Sequence, residues 1–371
     1  MTFRSRVYLQ GSPRLALTAA TLAVAFLTVT MLAVVTSLLG ENYRADPPFL
    51  DPFRPPTRDE AMLIYPAEYA LKSTEYNDVV FLGDSTCRCS IDPAEFQQAS
   101  GLSAYNLGNM GALGLEGYRL ILQLYLRHHP KPRAAVLAVT PDDFDAELPA
   151  AFGATPHRFR WAYGPHFGET LRLPEDLESV EYFARRGVGV GLTLWANRLA
   201  KRPFEPRGEF LQGENKHTYR SLEWKIRQSR GFWALAGKHF ALGTDAPNKP
   251  TVTVASQWDP GVRELAQIAD ANGIALVVRL VPIVDTVKTD YGPVQTWLRT
   301  LPRDCPHLTV IHPDILFYSP DLCWDYQHLN AEGVAAFSRS LGNDVARLLS
   351  QEARSPLEKK LAGPADRSRG R

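Results

Sequence analysis

Cysteine is scarce: four residues in 371, too few to staple a fold together, so a disulfide-built scaffold is excluded. Net charge is nearly absent too. Lys and Arg number 41 against 40 Asp and Glu, a formal +1, which removes the concentrated basic surface that a nucleic-acid binder needs. No unit recurs at a period of roughly 20–50 residues, which argues against solenoids and propellers. The 28 prolines and 26 glycines follow no period, so neither collagen nor a linker array fits. With 45% apolar and 22% charged residues the chain is no disordered polymer. Long hydrophobic runs are missing as well, with one exception.

That exception is residues 15–40, 26 residues without a charge, where about 20 suffice to cross a bilayer. A helix buried in a soluble core would normally keep a polar side, and here only Thr and Ser interrupt the apolar residues. Arg4, Arg6 and Arg14 precede the run, whereas residues 41–60 carry three Arg and five acids. The excess of basic residues before the run places 1–14 in the cytoplasm and everything after the span outside. A cleaved signal peptide would have a shorter apolar stretch ending in small residues, and TSLLGEN is a poor cleavage site. An uncleaved signal anchor is therefore expected, followed by an extracytoplasmic domain on the periplasmic side.

Residues 41–60 hold five prolines and suit a semi-extended spacer. Strand and helix signals then alternate. Strands are expected at Asp78–Leu82, Ala104–Leu107, Ala134–Val139, Ile274–Val281 and Leu308–Ile311, and helices at Leu115–Arg127, Pro260–Ala271 and Ala331–Leu349. Alternation of this kind predicts an α/β domain over about 61–350 with a five-stranded parallel sheet in a three-layer, flavodoxin-like arrangement. The pattern breaks at about 145–250, which is too long for a plain loop and is expected to be an inserted cap. Residues 351–371 are expected to be a disordered tail.

The first strand runs into Gly83-Asp84-Ser85, and near the other end of the chain stands Asp325-Tyr326-Gln327-His328-Leu329-Asn330. A serine at the C-terminal end of a strand sits where open α/β sheets bind ligands. An Asp and a His three residues apart in one turn can both point to that edge. The His would take the serine proton and the Asp would hold the imidazole in the required tautomer. The segment Asn106-Leu107-Gly108-Asn109-Met110-Gly111 can bring a backbone N–H to the same place. Asp84 is either a capping aspartate or a group acting beside the serine.

These blocks, in this order, resemble those of the SGNH (GDSL-type) hydrolase superfamily. FLGDS matches its first block with Ser85 as nucleophile, Asn106 to Gly111 its second block with Gly111 as oxyanion donor, and DxxHLNxxG its last block with Asp325 and His328. The resemblance implies Ser85, His328 and Asp325 as catalytic residues and the Ser85 N–H as part of the oxyanion hole. The third block of the family supplies an Asn, but here the aligned segment is Val139-Thr140-Pro141-Asp142-Asp143. An ionised Asp142 cannot donate to an oxyanion. Either Asp142 is protonated, or Asn109 serves instead, or the hole has only backbone donors; a structural role for Asp142 is favoured. The anchor, the insertion and the third block resemble the membrane-attached members that act in cell-envelope acylation, including proteins of alginate acetylation and teichoic-acid D-alanylation. Such members imply an acylated carbohydrate substrate and a membrane acyltransferase partner.

The expected activity is thus that of a serine esterase or O-acyltransferase on envelope or extracellular polysaccharide. The alternative is a non-catalytic binding partner in an acylation complex. No metal and no cofactor are expected, because His157, His166 and His217 have no ligand spacing and no C-x-x-C pair occurs. Arg88, one turn beyond Ser85, is either a solvated helix residue or a contact for an anionic substrate. His128 and His129 are expected at the surface. Outside the membrane Cys87, Cys89, Cys305 and Cys323 could pair, Cys305 with Cys323 or Cys323 with Cys87 or Cys89.

Overall fold

The computed structural model describes residues 58–109, 113–145, 163, 209–212, 215–235, 250–305 and 308–361, with Thr21, Leu22, Val24, Phe26, Leu27, Thr28 and Met31. The chain divides into two compact units, Met1–Pro55 with Leu173–Gly208 and Pro56–Arg172 with Glu209–Arg371. Of the first unit, only the seven N-terminal residues are described. They are helical, the Thr28 hydroxyl donates to the Val24 carbonyl (2.8 Å), and Leu22, Phe26, Leu27 and Met31 are more than half exposed. The remainder of the expected span 15–40, the tail 1–14 and the spacer up to residue 57 lie outside the described residues. Among the described residues no helix is long and apolar enough to cross a membrane.

The second unit is built on five parallel strands: β1 (Val79–Gly83), β2 (Ala104–Asn106), β3 (Ala134–Val139), β4 (Ala275–Leu280) and β5 (Leu308–Ile311). Their spatial order is β2-β1-β3-β4-β5. The register pairs Val79 with Ala104 on one side and Ala134 on the other, Ala134 with Ala275, and Leu276 with Leu308. β1, β2 and β3 are buried at every position, and β1 and β3 read as unbroken apolar runs, as strands of sheets covered on both faces do.

One face is covered by α2 (Ser85–Ser90), α3 (Pro93–Ser100) and α8 (Ala331–Leu361), whose Ile91 C-cap, Phe96, Val334, Phe337, Leu341, Val345 and Leu349 share a core with Val79, Phe81, Val136 and Val277. On α8 these residues recur every three or four positions, which gives one apolar stripe. α1 (Arg58–Lys72) packs on α4 (Gly114–His128), and α4 on α6 (Trp258–Asn272). α7 (Gly292–Asp304) packs against β5 and buries Val294, Leu298 and Leu301. Short parallel pairs of strands join Ile283–Val284 to Phe317–Tyr318.

The expected strands agree with those observed to within a residue or so, and the helices 115–127 and 260–271 extend slightly further. Helices α1, α3 and α7 are additions. The last helix runs on to Leu361, into the segment expected to be irregular, where Glu, Ala, Leu and Lys favour helix. Of the expected cap, 173–208 belongs to the first unit and lies outside the described residues. Glu209–Gln212 and Asn215–Thr218 form an antiparallel hairpin, followed by α5 (Tyr219–Gln228). The turn after α5 seals the open edge of β2. Asn106 N–H donates to Arg230 O (2.9 Å), Trp233 N–H donates to Arg88 O (3.2 Å), and the Arg230 guanidinium reaches Asn77 and Gln97 (2.9 Å each). An unpaired strand edge is a liability that a covering loop removes.

The core makes a direct prediction. Phe337 is fully buried beneath the sheet, so Phe337→Ala should cost about 3–5 kcal/mol in urea unfolding, whereas truncation at an exposed site of the same helix, such as Glu332→Ala, should stay within roughly 0.5 kcal/mol.

Candidate active site at the C-terminal edge of the sheet

Strand β1 ends in Gly83, where φ is +152° and an added Cβ would run into the Ala138 carbonyl of the neighbouring strand. Only glycine allows the chain to turn there. Asp84 follows as the N-cap of α2. Its Oδ1 accepts from Thr86 N (2.9 Å), the Thr86 hydroxyl (2.5 Å) and Cys87 N (3.2 Å). Ser85 is therefore the first residue of a six-residue helix, half-buried at the end of the strand.

The far end of α2 is held by Asn106 at the end of β2. Its Nδ2 donates to Cys87 O (2.9 Å) and Ile91 O (2.8 Å), and its Oδ1 accepts from Gly108 N (2.8 Å). One buried side chain thus satisfies carbonyls of the helix and fixes the following loop to it.

The loop 323–330 brings the histidine to this edge. Trp324 N–H donates to His328 O (2.7 Å), and Cys323 bridges Leu329. Asn330 anchors its base: Nδ2 donates to Asp321 O (2.5 Å), and Oδ1 caps α8 by accepting from Glu332 N (3.0 Å) and Gly333 N (3.1 Å). Gly333 is required because a Cβ would strike the Leu322 carbonyl.

Within this frame Ser85 Oγ lies 3.2 Å from His328 Nε2, and His328 Nδ1 lies 2.8 Å from Asp325 Oδ2. The side chains of His328 and Asp325 are 15% and 30% exposed, so the chain of hydrogen bonds is reachable from solvent. Asp325 Oδ1 also accepts from Gln327 N (2.9 Å) and His328 N (2.7 Å). Burial pushes the Asp325 carboxyl upward, but the His328 ring and these backbone donors outweigh it and hold the group below the ordinary carboxylate range. With Nδ1–H donating to Asp325, Nε2 is left as the acceptor for the Ser85 hydroxyl.

The donors nearby are mostly committed. Leu107 N–H goes to Phe81 O (2.9 Å) and Asn109 N–H to Gly83 O (2.8 Å). Asn109 is buried, and its amide is directed at the Leu63 carbonyl (3.4 Å). Among the described residues no acceptor takes the Ser85 N–H, which opens at the helix start beside the hydroxyl. Gly111 lies outside the described residues. Asp142 is held by Tyr291, whose hydroxyl donates to Oδ1 (2.9 Å).

The whole 141–145 turn is fastened in this way. Asp143 Oδ2 accepts from Thr140 N and the Thr140 hydroxyl (2.8 Å each), Phe144 packs on Trp258 and Trp297, and Asp145 accepts from Thr253 (3.2 Å). Asp143, which the sequence reading passed over, caps the turn; the signal was a Thr followed three residues later by an Asp.

Other expectations need correction. Arg88 is neither solvated nor open to a substrate: it is fully buried, with Nη1 directed at Gly108 O (3.4 Å), because α2 is wedged between the sheet and the 229–233 turn. His129 is buried and stacked on Tyr125 at 4.1 Å, with its ring nitrogens 2.9 Å from Glu75 O and 3.1 Å from Tyr69 O. All four cysteines are free. Cys87, Cys89 and Cys323 are buried in the core, and burial, aided by Asp285 and Asp325, pushes the Cys323 thiol up to about 12. Among the described residues no group of His, Cys, Asp or Glu could hold a metal ion.

Two substitutions test this construction. Asn106→Ala takes the partner from the Ile91 carbonyl and the Gly108 N–H and should destabilise by about 2–4 kcal/mol in chemical denaturation. Asp142→Asn keeps an oxygen for the Tyr291 hydroxyl and should shift stability by less than about 0.5 kcal/mol.

No protein-family model matches the chain, and no curated protein matches it.

Proposed function

We propose that this chain is a serine esterase or O-acyltransferase of the SGNH (GDSL) type, anchored in the membrane by residues 15–40 and acting on acyl esters of envelope or extracellular polysaccharide. The observation that carries the reading is the Ser85–His328–Asp325 chain, with contacts of 3.2 and 2.8 Å, at the C-terminal edge of a parallel sheet. Its support is threefold: the strand order β2-β1-β3-β4-β5 is that of flavodoxin-like sheets, whose ligands lie at this edge; the serine opens a helix; and the histidine is oriented by a carboxylate.

In this mechanism Ser85 Oγ attacks the acyl carbonyl as its proton passes to His328 Nε2. Asp325 keeps the imidazole in the correct tautomer and stabilises the imidazolium. The Ser85 N–H donates to the developing oxyanion, the role for which Gly111 is the second donor in the family. His328 returns its proton to the departing alcohol. The acyl group on Ser85 then passes to water, or to a sugar hydroxyl, activated by the same histidine. A membrane acyltransferase that delivers or receives the acyl group is the proposed partner.

A second reading, a non-catalytic member of an acylation complex, is favoured by one observation: Asp142 stands where the family has a donating Asn, and Tyr291 holds it. Kinetics separate the two. Hydrolysis of a short-acyl nitrophenyl ester should fall to background in Ser85→Ala and His328→Ala, and by roughly four orders of magnitude in Asp325→Asn, which leaves the histidine in the wrong tautomer. Equal rates in wild type and Ser85→Ala would establish the binding role. For the anchor, reporter fusions at Glu41 and Arg371 should both read as exported, and a cytoplasmic signal at either would overturn the topology.

A further inference from the structure

The loop that carries the histidine is a narrow hairpin. Cys323 and Leu329 form an antiparallel bridge at its neck. One step further in, the N–H groups of Trp324 and Asp325 both donate to the His328 carbonyl (2.7 and 3.3 Å). Trp324 and His328 thus stand opposite each other, and their rings meet edge to face. The ring centroids are 6.4 Å apart and the planes cross at 83°, an arrangement that aromatic rings favour at separations of about 4.5–7 Å. Trp324 is half-buried, and the His328 side chain is 15% exposed, so the indole takes part of the imidazole surface away from water.

On the serine-esterase reading, the two polar contacts of the imidazole are not equally durable. Nδ1 has Asp325 at 2.8 Å, and that carboxylate is itself fixed by the Gln327 and His328 N–H groups (2.9 and 2.7 Å). Nε2 faces the Ser85 hydroxyl. That bond ends once Oγ carries an acyl group, because the oxygen then has no proton to offer. Until the acyl group leaves, His328 must activate the incoming water or alcohol while tethered at one nitrogen, and a ring tethered at one nitrogen is free to turn about that bond. The contact with Trp324 does not involve Ser85, so it outlasts acylation.

We propose that Trp324 is a positioning residue, whose indole is the wall that keeps the His328 imidazole aimed at the acyl-bearing oxygen after the Ser85 hydrogen bond is lost. The role rests on the serine-esterase reading and adds to it a side chain outside the Ser85–His328–Asp325 set. Trp324 acts through His328 and not through substrate binding, so its removal should slow turnover without weakening affinity. The main-chain bond to His328 O can be made by any residue at 324 except proline. Substitution there therefore removes the ring and keeps the hairpin.

Steady-state hydrolysis of a short-acyl nitrophenyl ester by the full chain in detergent, for wild type, Trp324→Ala, Trp324→Leu and Trp324→Phe, tests this role, with melting temperatures measured alongside. Trp324→Ala should lower kcat about 3- to 10-fold with KM within about twofold of wild type. Trp324→Leu, which fills space without a ring, should behave like Trp324→Ala and carries the test if Trp324→Ala does not fold. Trp324→Phe, which keeps a face and an edge, should recover at least about half of the wild-type kcat. Wild-type kcat in the ring-less variants, an equal loss in Trp324→Phe, or a change in KM alone would overturn the proposal. An inactive wild type would remove the esterase reading and this role with it. An active wild type matched by Trp324→Ala and Trp324→Leu would remove the role and leave the reading standing.

Discussion

The hydrogen bonds from Thr86 and Cys87 to one oxygen of Asp84 hold the rest of the edge in place. They end β1, start α2, and leave Ser85 as the first helical residue, where its hydroxyl and its N–H emerge side by side. A helix of six residues is far below the length at which helices stand alone, so it exists because its two ends are fixed. Asp84 fixes the first and Asn106 the second, through the Cys87 and Ile91 carbonyls. Gly83 makes the turn possible by letting the backbone pass the Ala138 carbonyl.

The histidine arrives by a separate construction with the same logic. Asn330 binds both the chain before the loop and the start of α8, so the long helix fixes where the loop begins. Asp325 then does two things: one oxygen accepts from the loop's own backbone and the other from the imidazole. A carboxylate tied at both oxygens cannot swing away from the ring, and the orientation of His328 toward Ser85 is inherited from α8 and its packing on the sheet.

Much of this was legible in the sequence. The five strands of the sheet are short, largely apolar runs, and those runs with the Gly, Pro or polar residues that close them located the strands. Ser85, Asp325 and His328 were legible because each sits at a boundary that sequence marks well. What escaped is instructive. α3 carries a capping Asp92, Pro93 and a terminal Gly101 at φ +70°, yet it is only two turns long and its stripe reduces to Phe96. α1 and α7 contain Pro66 and Pro302, which argue against helix locally and were overridden by tertiary packing. The burial of Arg88 and His129 was beyond reach, since both depend on distant segments: the 229–233 turn covers the first, and the Glu75 and Tyr69 carbonyls receive the second. Asp143 differs from its neighbour only in position: the carboxylate one residue beyond Asp142 is the one that caps the turn through Thr140.

The central claim is that Ser85 is a nucleophile armed by His328. An alkyl fluorophosphonate tests it without knowledge of the natural ester, because the reagent captures a serine whose proton a base removes. Incubation of the full chain followed by peptide mass spectrometry should find the phosphonyl adduct on Ser85 in wild type and in Asp142→Asn, and no adduct in His328→Ala. An unlabelled wild-type protein, or labelling of Ser85 that persists undiminished in His328→Ala, would contradict the account.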